Sequence, residues 1–151
     1  EIVRYMVSSV PWPYPENGAE NYVNNVALPD MAKGIAWFWT IRRREAPDEL
    51  MGLICLYDVE DNNRGFWLAP EFQGQGYMRE ASIAATDYWF NTLNKPVLRA
   101  PKAAANSRSR CISDSSGMRL IRTEKKAYVS GLLDSELWEI TRDEWNARQV
   151  S

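Results

Sequence analysis

Short apolar runs separated by turn residues alternate in this chain with stretches of helical spacing. Gly34 opens the run Ile35-Ala36-Trp37-Phe38-Trp39-Thr40-Ile41, and Met51 to Tyr57 forms a second run. Both read as strands, paired across the polar turn Arg42 to Glu49. Asp58 to Asn63 is a further turn, leading into a third strand at Gly65-Phe66-Trp67-Leu68. Ala81, Ala84, Ala85, Tyr88 and Trp89 then recur at i, i+3, i+4, i+7 and i+8, the spacing of a buried helical face. Lys95 to Ala100 reads as the next strand. Asn106 is a good N-cap and Gly117 a good C′ residue, so a helix of about three turns lies between them.

The ends of the chain follow the same logic. Trp12-Pro13-Tyr14-Pro15 is a stiff aromatic loop. Glu16 to about Leu28 reads as a helix with acidic residues near its start, where they suit the dipole. Tyr128-Val129, the turn Ser130-Gly131 and Glu136 to Ile140 read as an antiparallel pair. Thr141-Arg142-Asp143-Glu144 has capping-box spacing and starts a short final helix at Trp145. No internal repeat or low-complexity linker interrupts the pattern.

The segment from Gly65 to Ala81 carries the chemistry. It is a strand, a turn with two glycines and the first turn of a helix. A helix start offers several backbone N–H groups with no partner inside the helix. With the positive end of the dipole they suit a phosphate or pyrophosphate. Two familiar phosphate loops do not fit. A nucleotide P-loop needs Gly-Lys-Ser/Thr, and here Gly76 is followed by Tyr77 and Met78. A dinucleotide fingerprint needs a third glycine where this chain has Arg79. What remains is Gln73-x-x-Gly76 with a helix behind it; the plain alternative is a structural strand-turn-helix whose glycines serve the turn.

That remainder resembles the coenzyme A pyrophosphate loop of the GNAT N-acetyltransferases, Gln/Arg-x-x-Gly-x-Gly/Ala, with Gln73, Gly76 and Met78 at its three positions. Met78 departs from the usual small residue. The Asn-capped helix from Asn106 to Gly117 follows the next strand as in that family, ending in Gly117-Met118 where Gly-Phe is usual. With Ser109, the resemblance narrows to the RimJ/RimL type, the ribosomal-protein alanine N-acetyltransferases, from about Tyr5 to Trp145. It implies an α/β (α+β) fold, with a central mixed twisted sheet of about six to seven strands flanked by helices. Acetyl-CoA would lie between two splayed parallel strands, Gly65–Leu68 and Val97–Ala100. The family opens with a further strand and part of a helix. This chain begins at Glu1, so residues 1–151 are expected to form one domain in which that strand is either cut off from this sequence or absent; if absent, a bare sheet edge leaves a homodimer open.

The resemblance also assigns roles. Backbone groups around Leu68 and Ala69 would hold the pantetheine arm and polarise the thioester. N–H groups of Gln73, Gly74, Gln75, Gly76, Tyr77 and Met78 would hold the pyrophosphate, and Asn106 would contact the coenzyme with Ser109 nearby. Many relatives carry a glutamate base on the strand before the loop; this strand has none, and Glu71 is the nearest carboxylate. Ser113 stands where many relatives have an acidic tyrosine, and Ser109 where the RimL type has a serine; of the two, Ser109 is preferred as proton donor to the leaving thiolate. Glu71 as a solvent-facing turn residue, and both serines as helix-surface residues, are the plain alternatives. Trp12, Tyr14, Trp37 and Trp39 are candidates for the walls of an acceptor cleft or for core.

Composition narrows the classes further. The absence of histidine removes Ser-His-Asp and Cys-His chemistry and histidine-ligated metals, and two lone cysteines build no zinc cluster, so no metal is expected. A formal charge of −2 gives no electrostatic case for nucleic acid or an anionic membrane. No apolar run nears the roughly twenty residues of a membrane span, and the cytoplasm is the expected compartment. Three readings stay open: acetyl transfer from acetyl-CoA to a primary amine, such as a protein N-terminus or a small molecule; a non-catalytic acetyl-CoA or CoA sensor or interaction module; or another anion binder.

Overall fold

The computed structural model describes residues 2–149, and Glu1, from which the expectation of a missing first strand starts, lies outside them. The first long helical segment joins α1 (Gly18–Tyr22), a π-helical turn (Val23–Ala27) and α2 (Leu28–Ala32) without a break. It runs past the expected end at Leu28 and through Pro29. The Leu28 N–H reaches back five residues to the Val23 carbonyl, and this wider turn carries the chain to a proline with no N–H of its own.

Six strands follow in two sheets of three. β1 (Ala36–Ile41), β2 (Gly52–Tyr57) and β3 (Arg64–Leu68) form an antiparallel meander in the order β1-β2-β3. Helix α3 (Tyr77–Asp87) continues as a π-helical turn (Tyr88–Thr92) and returns the chain to β4 (Val97–Ala103). Then come α4 (Ser107–Ser115), β5 (Arg119–Tyr128), β6 (Gly131–Thr141) and α5 (Arg142–Gln149). The second sheet has the order β4-β6-β5. A strand followed by a returning helix and a strand beside it is a parallel crossover, so β3 and β4 run the same way. The single mixed sheet expected from the sequence is thus two antiparallel sheets among the described residues, set side by side with β3 and β4 parallel but unpaired.

The core lies on one side of these sheets. Ile54, Leu56, Leu68, Leu98, Ala100, Trp138 and Ile140 point into it from the strands, and Met78, Ala85, Trp89 and Phe90 from α3 and its extension. The buried face of α3 is rotated from the expected one. Met78, Ser82, Ala85 and Thr86 are buried, whereas Ala84 is exposed and Ala81 half-buried. Alanine periodicity misleads here because the inward positions include two hydroxyls.

The helix ends obey the expected local rules. Met118 N–H bonds to Ser113 C=O (3.0 Å) and Gly117 N–H to Asp114 C=O (2.9 Å), a Schellman ending with Gly117 at φ 78°. Thr141 and Glu144 make both capping-box bonds: Thr141 N–H to Glu144 Oε2 (2.8 Å) and Glu144 N–H to Thr141 Oγ1 (3.3 Å). The final helix accordingly starts at Arg142. The last hairpin is longer than expected, and its turn is Val129-Ser130 because Gly131 already pairs with Tyr128. β5 escapes sequence detection because it is exposed along almost its whole length. Pairing to β6 holds it, and no apolar alternation marks it.

Candidate functional site

The loop after β3 is shaped for an anion. Pro70–Phe72 forms a single 3-10 turn, and Gly74 (φ 74°) and Gly76 (φ 89°) then take left-handed conformations. A Cβ at either glycine would meet nothing within 4 Å, so backbone conformation, and not crowding, selects glycine there. The first helical bond of α3 is Glu80 N–H to Gly76 C=O (3.1 Å), and no side chain caps the helix. Among the described residues, the main-chain N–H groups from Gly74 to Arg79 make no hydrogen bond. Tyr77 and Met78 thus offer their N–H groups, while the Met78 side chain is buried in the core.

Two expected ligands of this loop need correction. The Gln73 N–H is bonded to Pro70 C=O (3.2 Å), so the free donors begin at Gly74. Ala69 has its N–H taken by Met51 C=O (2.8 Å), and its carbonyl already accepts once, from Phe72 N–H (3.0 Å), so only the second lone pair of that carbonyl is left for an arm. Both glutamines brace the loop through their side chains. Gln75 Nε2 donates to Glu71 C=O (2.9 Å), and Gln73 Nε2 donates to Leu68 C=O (2.7 Å). Gln73 Oε1 accepts from Arg108 Nη1 on α4.

Between β3 and β4 the two sheets part. They are joined at one end by Asn63, which is 7% exposed. Its N–H donates to Arg99 C=O (2.7 Å) and its Oδ1 accepts from Arg99 N–H (2.8 Å). Its Nδ2 donates to Tyr57 C=O (3.1 Å) and Val59 C=O (2.8 Å). Further along, no ladder links β3 to β4. Strand alternation turns the backbone groups of Arg64, Phe66 and Leu68 away from β2, because Ala69 N–H and Asn63 C=O both pair with β2 residues. The same alternation turns Pro101 from β6 toward the gap, where a residue without an N–H breaks no ladder. The result is a wedge-shaped cleft, closed at Asn63 and spanned at its mouth by the Gln73–Arg108 contact.

The expected residues on α4 divide. Asn106 caps the helix by accepting from Ser109 N–H with its Oδ1 (3.2 Å), and both residues are half-buried. Ser113 is fully buried and its Oγ has no partner. Glu71 is exposed in the 3-10 turn ahead of the loop.

Three buried polar residues around the cleft escaped the sequence reading: Asn63, Arg64 and Lys102. Arg64 is 3% exposed, and burial pushes its guanidinium down to about 10. Lys102 is pushed down to about 7 by burial and by the nearby Arg64 charge, against the opposing pull of Glu136. Its Nζ donates to Ala100 C=O (3.0 Å) and lies 5.5 Å from the centre of the Trp138 ring. Glu136 Oε2 accepts from Trp138 Nε1 (2.9 Å) and pairs with Arg110 Nε (3.0 Å). The signal for Arg64 and Lys102 was parity. They share strand faces with Phe66, Leu68, Leu98 and Ala100, where apolar residues belong. Asn63, in a polar turn, carried no such signal.

The aromatic candidates are scattered. Trp37 packs edge-on against Trp89 (centroids 6.3 Å apart) and Trp39 against Tyr88 (5.2 Å), so both belong to the packing under α3. Trp39 and Tyr88 also line an open groove of about 490 Å³ on the β1 side of α3, away from the cleft. Trp12 and Tyr14 are exposed. Cys55 is buried, its thiol donating to Tyr57 Oη (2.9 Å) and pushed up to about 11 by burial, while Cys111 is exposed; both are free. Arg43 pairs with Glu49 at the hairpin tip and Arg42 Nη1 donates to Pro47 C=O (2.9 Å), so these arginines brace a turn. Among the described residues, no three Cys, Asp or Glu side chains are grouped to hold a metal ion, and no helix is long and apolar enough to cross a membrane.

A parted pair of parallel strands, with a glycine-shaped helix start at its mouth, defines a fold class that comparison with known proteins identifies. Residues 1–119 match the acetyltransferase (GNAT) domain model, and the chain belongs to that family. It is 26% identical over 106 residues to YdaF of Bacillus subtilis (strain 168), a proposed ribosomal N-acetyltransferase, covering 66% of this chain and 58% of that protein. The chain therefore spans less than two thirds of the length of this curated relative. Ribosomal-protein-S5-alanine acetyltransferase from Vibrio fischeri superposes with a TM-score of 0.79 at 18% identity, over 95% of this chain and 81% of that one. Spermidine N-acetyltransferase from Vibrio cholerae, in complex with CoA and spermine, superposes with a TM-score of 0.77 at 19% identity, over 96% and 85%.

Proposed function

We propose that this chain moves an acetyl group from acetyl-CoA to a primary amine, by direct attack of the amine on the thioester with both substrates bound. The observation that carries this reading is the row of unpaired N–H groups from Gly74 to Arg79 at the mouth of the cleft between β3 and β4. Such a row suits a pyrophosphate. The cleft behind it suits an extended arm that pairs with the inward groups of β3. The N–H groups of Leu68 and Phe66 face the gap and are left for the arm and for the oxyanion that forms on attack, since Leu68 C=O is already held by Gln73.

The proton steps fall to Glu71 and Ser109. The acceptor must lose a proton to attack, and Glu71 takes it directly or through water. The departing sulfur gains one by way of Ser109, which is half-buried on α4, whereas the fully buried Ser113 is the weaker candidate. A ribosomal-protein N-terminus and a small amine are both compatible acceptors, since relatives of this fold carry both names. Two free cysteines fit a reducing compartment such as the cytoplasm. The sealed Ser113 hydroxyl and the lack of a carboxylate on β3 favour a second reading, a CoA-binding sensor without turnover.

Calorimetric titration with acetyl-CoA, followed by thiol-release assays over peptides and small amines, separates the readings. Binding with turnover supports transfer, binding without turnover on any amine supports the sensor, and no binding refutes both. In the active case Glu71→Gln lowers turnover at neutral pH and Ser109→Ala lowers it at saturating acetyl-CoA; unchanged rates would remove the respective role.

A further inference from the structure

The inner end of the cleft holds a charge that no carboxylate among the described residues neutralises. Arg64 Nη1 donates to Thr86 Oγ1 (2.9 Å) and Nη2 to Met118 Sδ (3.4 Å), but Nε has no partner. Thr86 stands one turn beyond Ser82 on the same face of α3. Met118 N–H is bonded to the Ser113 carbonyl (3.0 Å). Ser82 and Ser113, 1% and 0% exposed, both have hydroxyls without partners. Lys102 stands on β4 beyond Ala100, with one acceptor for its ammonium. The Glu136 carboxylate nearby is engaged by Trp138 and Arg110. Four elements thus bring a guanidinium, a lysine amine and three unpartnered polar atoms to one buried region. Leaving such atoms unpaired is costly, and a buried unpaired cation more so. A small oxygen-bearing anion would satisfy donors and charge together.

The route to that region starts at the loop. If a pyrophosphate sits on Gly74 to Arg79, the arm runs back along β3, and Leu68 to Arg64 spans about 13 Å at strand spacing. The acyl end of the donor therefore approaches Arg64. We propose that Arg64, Ser82 and Ser113 form a subsite for the far end of the acyl group, and that the chain prefers a CoA thioester whose acyl chain ends in a carboxylate, of the succinyl type, over an uncharged acyl group of equal length. This rests on the CoA-thioester reading above. The chemistry is otherwise unchanged: the amine nitrogen bonds to the thioester carbon, the carbon–sulfur bond breaks, the sulfur leaves with its electron pair, and the proton lost by the amine balances the one gained by the thiolate. The terminal carboxylate takes no part.

The test is calorimetric titration of the whole chain with CoA, acetyl-CoA, butyryl-CoA and succinyl-CoA. Succinyl-CoA should bind more tightly than butyryl-CoA by roughly tenfold or more, the factor that one charge-assisted hydrogen bond supplies. Arg64→Met should bring that ratio close to one while CoA itself still binds, and Ser113→Ala should narrow it. Equal affinities for the two donors in the wild type, or a ratio that survives Arg64→Met, would overturn the inference and leave the buried atoms to internal water, with the proposed function standing. Failure of every CoA ligand to bind would overturn both. If Arg64→Met does not fold, the wild-type comparison decides alone.

Discussion

Asn63 is the residue on which the cleft turns, and replacing it tests the whole geometry. Asn63→Ala removes three hydrogen bonds made by a buried side chain: two from Nδ2, to Tyr57 and Val59 carbonyls, and one to Oδ1 from Arg99 N–H. A neutral hydrogen bond contributes about 1 kcal/mol net, so the three sum to about 3 kcal/mol, and more where the abandoned carbonyls and N–H stay shielded from water. That is a large share of the stability of an ordinary domain, roughly 5–15 kcal/mol. The loss is also local. The Arg99 N–H and two turn carbonyls lose their shared tie, so the closed end is left with the main-chain bond from Asn63 N–H to Arg99 C=O and the Arg99–Asp61 ion pair, and is weakened. Denaturant unfolding should show the drop in stability, and titration with acetyl-CoA should show weakened binding beyond that. Asn62→Ala, one residue earlier and exposed, is the control and should cost little. If Asn63→Ala cost under about 1 kcal/mol, or matched Asn62→Ala, the claim that the Asn63 side chain helps to hold the two sheets together would be wrong.

Other expectations follow from single observations. Gly76→Ala places a side chain at φ 89° and should cost about 1–2 kcal/mol in unfolding free energy through the backbone alone, since the space is open; it should also weaken acetyl-CoA binding. Thr141→Ala breaks the capping box at the start of α5 and should cost about 1 kcal/mol, measured by thermal or denaturant unfolding. Lys102 supplies a pH signature. Its folded value, about 7, lies below its ordinary 10.5, so between those limits the unfolded chain holds a proton that the folded chain lacks. Stability should therefore rise as pH climbs from 7 toward 10.5, and Lys102→Met should remove that part of the rise in unfolding experiments run across the window. An identical pH dependence in both proteins would show that Lys102 keeps its charge.

Much of the molecule was legible from local rules. Asn106, Gly117 and the Thr141–Glu144 pair act on backbone groups within a few residues of themselves, so the chain alone determined where α4 begins and ends and what caps α5, although that helix starts at Arg142 and not at the expected Trp145. The two glycines after Gln73 declared a left-handed loop ahead of a helix for the same reason. What spacing could not supply were the effects that need a distant partner. β5 is held by its pairing to β6 and carries no apolar pattern to announce it. Ala69 looked available to a coenzyme until Met51, eighteen residues earlier in the chain, took its N–H. Gln73 looked like a ligand, and folding makes it a brace between Leu68 and Arg108. Asn63, Arg64 and Lys102 were ordinary polar letters until the packing of α3 and α4 over two parted sheets cut them off from water. The sequence by itself determined the caps of α4 and α5, the glycine loop ahead of α3 and the family; only the tertiary structure decided which of those groups are already bonded and which polar side chains are buried, because burial and pairing depend on residues far away along the chain.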